Sequence, residues 1–112
     1  MSISTHVLDT ANGQPAEGLP ITLWREDAYG DVLIGTAPTN SDGRAPTLIP
    51  KDADLPAGTY RIRFDTGEWF ENTGVTGFYP EVVVRFIIRD ADQHYHVPLL
   101  ISPYGFSTYR GS

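Results

Sequence analysis

Three histidines are the residues best suited to proton transfer in this sequence: His6 near one end, and His94 and His96 near the other. Imidazole changes charge close to neutral pH, so it can accept a proton and return it under conditions where carboxylates and amines cannot. His94 and His96 are two positions apart in a predicted strand, which puts them on one face with Tyr95 on the opposite one. Three readings stand side by side: hydrogen-bonded histidines without chemistry, a His-x-His pair presenting two imidazoles to a metal ion, and acid–base groups. The sequence has no cysteine, so disulfides, thiolate metal sites and a cysteine nucleophile are excluded.

Arg44 is the second candidate. It follows Gly43 in the turn-rich stretch 39–44, where a guanidinium is free to reach over a neighbouring surface and present its planar fork of donors to an oxygen-rich ligand. A solvated loop arginine is the alternative. The third unusual feature is the tail LLISPYGFSTYRGS, which keeps apolar, aromatic and small residues at strand spacing to the last position. Tails ordinarily decay into polar sequence. Ser107 and Tyr109 share parity here, which predicts an ordered segment.

Most of the chain reads with a period of two. Ile3, Thr5 and Val7 face one side of a first strand, and Ser4, His6 and Leu8 the other. Further strands are predicted over 21–25, 32–36, 59–65, 82–89, 94–101 and 106–110. In the 59–65 strand Tyr60, Ile62 and Phe64 point inward. Asn12-Gly13, Tyr29-Gly30-Asp31 and Ser41-Asp42-Gly43 supply turns. Residues 66–73 form the one predicted helix, with Thr66 as its cap and Gly74 as its stop. Seven or eight short strands and one helical turn predict an all-β sandwich.

Composition sets the outer limits. With 112 residues, 40% hydrophobic and 20% charged, the sequence accommodates one globular domain over 1–112. A net charge of −6 disfavours nucleic acid, whose phosphates need clustered Lys and Arg. The opening MSISTHVLD carries no basic flank or long apolar run, and no stretch reaches the roughly 18 apolar residues of a membrane span. The expectation is a cytoplasmic protein without a membrane partner.

Taken together, THVLDTANGQPA, TNSDGR, GTYRIRFDTGEWF, FYPEVVVRFIIRD and HYHVPLLISPYGFSTYRGS resemble the transthyretin-like 5-hydroxyisourate hydrolases over essentially the whole chain. The terminal YRGS looks like the hydrolase ending and not that of the hormone-carrying transthyretins. The resemblance implies a transthyretin-like (prealbumin-like) sandwich of two four-stranded sheets with one short helix. It further implies that the first, second-last and last strands lie side by side, and that the chain assembles as a homotetramer with sites at subunit interfaces. By position, the site residues it implies are His6, Arg44 and His96 for catalysis, with His6, Arg44, Tyr109 and Ser112 contacting substrate. The implied reaction opens the six-membered ring of 5-hydroxyisourate hydrolytically to 2-oxo-4-hydroxy-4-carboxy-5-ureidoimidazoline, in urate degradation, with no metal and no cofactor. A role for His94 does not follow. The rival class is a transthyretin-type carrier, which needs apolar or small residues where this chain has His6, His96 and Tyr109. A secreted sandwich that binds protein ranks below it.

Overall fold

Strand β1 (Ser2–Asp9) buries Ile3, Thr5, Val7 and Asp9 and leaves Ser2, Ser4, His6 and Leu8 half-exposed, as its alternation predicts. The computed structural model describes residues 2–112. After β1 come β2 (Gln14–Pro15), β3 (Pro20–Asp27), β4 (Gly30–Pro38), β5 (Gly58–Phe64), α1 (Thr66–Asn72), β6 (Val82–Ile88), β7 (His94–Ser102) and β8 (Gly105–Thr108). They form two four-stranded sheets, ordered β2-β1-β7-β8 and β4-β3-β5-β6. The inward faces meet in one core that includes Val7, Leu23, Tyr60, Ile62, Phe64 and Leu99, all fully buried. Each such side chain stabilises the fold by about 1.5–3 kcal/mol through removal from water.

The pairing that matters most for function is between distant parts of the chain. β1 and β7 run parallel, with Ser2 opposite His94, Ser4 opposite His96 and His6 opposite Pro98. Thr5 Oγ1 donates to the Val97 carbonyl (2.7 Å), adding a side-chain tie to the ladder. β8 then pairs antiparallel with the far edge of β7. The expected neighbourhood of first, second-last and last strands is therefore present.

Several boundaries differ from expectation. α1 begins after Asp65, which makes no side-chain capping bond. Thr66 is not the cap: it is buried inside the helix and its hydroxyl donates to the Tyr79 carbonyl (3.2 Å). Gly74 does end the helix, at φ 75°. β8 stops at Thr108 and not at Arg110, because the chain leaves β7's ladder there. No strand forms among residues 46–57, where three prolines withhold ladder donors. No helix of the described residues is long and apolar enough to cross a membrane.

The loop after β4 is secured from below by Thr39, which is 3% exposed. Its hydroxyl donates to the Ala16 carbonyl (2.6 Å) and accepts from the Leu19 backbone N–H (2.9 Å). A Thr39→Val substitution keeps the shape and strands both backbone groups. It is expected to cost about 2–6 kcal/mol, since each of the two buried unsatisfied groups costs about 1–3 kcal/mol. The midpoint of urea unfolding measures it; a loss under half a kcal/mol contradicts the role given to this hydroxyl.

Candidate functional site

The outer face of β1 and β7 gathers a run of polar side chains that alternation alone places on two separate strands. Ser2 and Ser4 stand opposite His94 and His96, and the two imidazoles lie nearly parallel, 15° between planes and 6.5 Å between centroids. Ser4 Oγ is 2.7 Å from His96 Nδ1 and 2.9 Å from His94 Nε2. Ser2 Oγ meets His94 Nδ1. Continuous hydrogen bonding thus runs from His96, which is half-buried, to His94, which is exposed.

His6 is next along the face and is held differently. Its Nε2 lies 2.7 Å from the Asp42 carbonyl oxygen. A carbonyl only accepts, so Nε2 carries the proton and Nδ1 of the neutral ring is left as an acceptor. The loop that supplies this carbonyl is folded on itself by Asn40. Its Oδ1 accepts from the N–H groups of Asp42 (2.9 Å) and Arg44 (3.0 Å), and its own N–H donates to the Arg44 carbonyl (2.7 Å). An Asn side chain accepting two residues on is a turn device visible in TNSDGR, although Asn40 was not singled out from sequence.

Gly43 lets this loop touch β1. Its φ is +77°, and a Cβ there would meet the Val7 carbonyl oxygen at 2.4 Å. The Gly43 carbonyl in turn accepts from the Val7 N–H (2.8 Å). Those contacts lay Arg44 alongside His6 in a single antiparallel bridge. The Arg44 side chain is exposed and borders a groove of about 270 Å³ shared with Ser2, Ser4 and His94.

The tail reaches the same place from the other side. The Gly111 N–H donates to the His96 carbonyl (2.8 Å), forming an isolated bridge. A Cβ on Gly111 would stand 2.5 Å from His96 Cδ2. The absence of a side chain at Gly111 thus lets the tail backbone lie against the imidazole. Arg110 pins the preceding turn by lying over Tyr95 (4.5 Å to the ring centroid) and donating to Gln93 Oε1 (2.9 Å).

His6, Arg44 and His96 are thus brought to one face, with Ser112 one residue beyond Gly111. Tyr109 is placed apart from them. It follows the end of β8, is 59% exposed, and lines a cleft of about 500 Å³ between the sheets with Val84, Phe86, Tyr95 and Val97. Among the described residues no hydrogen bond joins it to the histidines. Ser4 and His94 are the site neighbours whose connection sequence reasoning did not supply.

Burial holds the His96 imidazole below its ordinary value of 6.5, and the nearby Arg44, His6 and His94 push it the same way. His96 is therefore neutral at pH 7 and free to accept a proton. Because its folded value is depressed, the unfolded chain takes up this proton first as pH falls. The stability His96 contributes is complete above about pH 6.5 and declines as pH falls through the folded value. Urea midpoints are expected to drop less steeply between about pH 7.5 and pH 5 in His96→Gln than in the native protein. Identical pH slopes would contradict the depressed value.

Comparison with known proteins adds the relatives. The HIUase/Transthyretin family matches residues 3–111. The 5-hydroxyisourate hydrolase 2 of Rhizobium meliloti is 51% identical, over 98% of this chain and 95% of its own length. Among solved structures, the 5-hydroxyisourate hydrolase of Klebsiella pneumoniae superposes with a TM-score of 0.84 at 40% identity, covering 98% of this chain and 92% of that one. Sea bream transthyretin in complex with thyroxine superposes at 0.89 with 31% identity, covering 97% and 93%.

Proposed function

The chain belongs to the HIUase/Transthyretin family, and from that membership we propose that it is a hydrolase of 5-hydroxyisourate acting in urate degradation. The observation that carries this reading is the convergence of a neutral imidazole at His96, a second fixed imidazole at His6 and the Arg44 cation on one face.

The chemistry follows from their states. Hydrolysis of a ring amide needs a water deprotonated as it attacks the carbonyl carbon. His96 is the base, since it is neutral at pH 7 and its Nε2 is the nitrogen not bonded to Ser4. His6, fixed by its donation to the Asp42 carbonyl, positions the water or the substrate through Nδ1. As the carbonyl oxygen gains charge, Arg44 stabilises it, and one such donor is worth about 3 kcal/mol of barrier. The C–N bond then breaks and the proton on His96 passes to the leaving nitrogen. Tyr109 and Ser112 are assigned to substrate contact, which the drawing of the tail over His96 by Gly111 supports. The proposed product is 2-oxo-4-hydroxy-4-carboxy-5-ureidoimidazoline, formed without metal or cofactor.

A homotetramer with interfacial sites belongs to the same reading. Its support is the pair of unpaired edges at β6 and β8, where Val83, Ile87 and Phe106 are exposed. Open apolar edges favour pairing with another copy. It also offers a reason for Tyr109 standing away from the histidines, namely service to a site completed across an interface. Carriage of an apolar hormone fits less well, because Ser2, Ser4, His6, His94 and His96 make this face polar.

The test is the ultraviolet decay of freshly generated 5-hydroxyisourate with and without the protein. His6→Ala and Arg44→Ala are each expected to lower kcat/KM by about 10²–10³-fold with an unchanged circular dichroism spectrum. Near-native activity in either folded variant removes that residue from the mechanism. Deleting Tyr109 to Ser112 is expected to abolish activity while sedimentation still shows a tetramer. A fully active truncated tetramer would make the tail structural only, and a native monomer at micromolar concentration would sink the interfacial site.

A further inference from the structure

Ser4 has a single hydroxyl proton and two imidazole neighbours. Its oxygen lies 2.7 Å from His96 Nδ1 and 2.9 Å from His94 Nε2, and a serine hydroxyl donates one hydrogen bond while accepting others. A relay needs one histidine to receive the Ser4 proton and the other to donate its own to Ser4; if both imidazoles donate to Ser4, both bonds are kept but no proton passes. Two arrangements keep both bonds and can pass a proton. In the first, His96 Nδ1–H donates to Ser4, Ser4 donates to His94 Nε2, and His94 Nδ1–H donates to Ser2. In the second every bond is reversed: Ser2 donates to His94 Nδ1, His94 Nε2–H donates to Ser4, and Ser4 donates to His96 Nδ1. The first leaves His96 Nε2 bare and basic. The second leaves it protonated, able to donate once a proton returns to Nδ1.

We propose that Ser4 is a positioning residue that links His96 to the exposed His94 as a proton relay, setting both imidazoles to the same tautomer and switching His96 between base and acid. The inference builds on the hydrolase reading. His96 Nε2 takes a proton from the attacking water. The Nδ1 proton of His96 then moves to Ser4, the Ser4 proton moves to His94 Nε2, and His94 releases its Nδ1 proton to solvent. His96 is now neutral with its proton held on Nε2. A solvent proton returning to His94 Nδ1 drives the reverse shift through Ser4, so that His96 Nδ1 gains a proton as Nε2 gives its own to the leaving nitrogen, and the starting state is restored. The protons balance: water supplies hydroxyl to carbon and hydrogen to nitrogen. Geometry suits each end to its part. His96 is half-buried against Gly111, with Arg44 and His6 nearby. His94 is exposed, so the charge passes through it where water can solvate it. Its backbone carbonyl accepts from Arg110 (3.3 Å).

Nitrogen-15 spectra of the histidine-labelled native protein above pH 7 test the link without substrate. The expected result is the same tautomer, or the same mixture of tautomers, at His94 and His96, with that correlation lost in Ser4→Ala. One histidine as Nδ1–H and the other as Nε2–H in the native protein overturns the relay, because no such state keeps both bonds and passes a proton. Kinetically, Ser4→Ala is expected to lower kcat on the order of 10²-fold, the scale of general acid–base contributions, with KM little changed. Ser4→Thr, which retains a hydroxyl, should restore most of the rate. Folded Ser4→Ala with native kcat overturns the proposal. Native protein that fails to hydrolyse 5-hydroxyisourate overturns the hydrolase reading instead, and the spectra still decide the link between the two histidines.

Discussion

The parallel register between β1 and β7 is the constraint on which the polar face depends. It alone sets Ser2 against His94 and Ser4 against His96. A shift of one residue would turn every side chain of one strand to the opposite face, sending Ser4 and His6 into the core and Ile3, Thr5 and Val7 out of it. The buried alternation of β1 and the hydroxyl tie from Thr5 to Val97 therefore protect the site as well as the sandwich. Two further approaches are built on this ladder, and both rely on a missing side chain. Gly43 brings the arginine loop onto one edge of β1, and Gly111 brings the tail onto His96.

Arg44 affects this face in two ways. Its charge adds to burial in keeping His96 neutral, and in the proposed reaction the same charge meets the developing oxyanion. The net charge of −6 does not conflict with this. What an anionic transition state meets is the nearest fixed charge, and ions more than about 8 Å away are largely screened at physiological salt.

Local sequence pattern carried much of the fold. Period two found the inward set Tyr60, Ile62 and Phe64 and the shared face of His94 and His96, and positive-φ chemistry located the stop at Gly74. What periodicity does not encode is partnership. Nothing local to Ser4 announces that its neighbour lies 92 positions away; family resemblance, not strand pattern, supplied the adjacency of the first and second-last strands. The cap on α1 failed as a reading because Thr66 was claimed by a carbonyl from another loop, at Tyr79. The tail failed in a similar way. Alternation through Tyr109 and Arg110 reads as continued strand, yet Arg110 stacks on Tyr95 and the chain rejoins β7 only at Gly111. In each case a tertiary contact displaced a local preference.

The Ser4–His96 contact has a bearing on how the molecule is made. Closing a loop of 92 positions costs more chain entropy than closing a local hairpin. The β4-β3-β5-β6 sheet contains none of the histidines, so forming it alone pairs no imidazoles. Competence for chemistry thus depends on a closure between distant strands and on no local element alone.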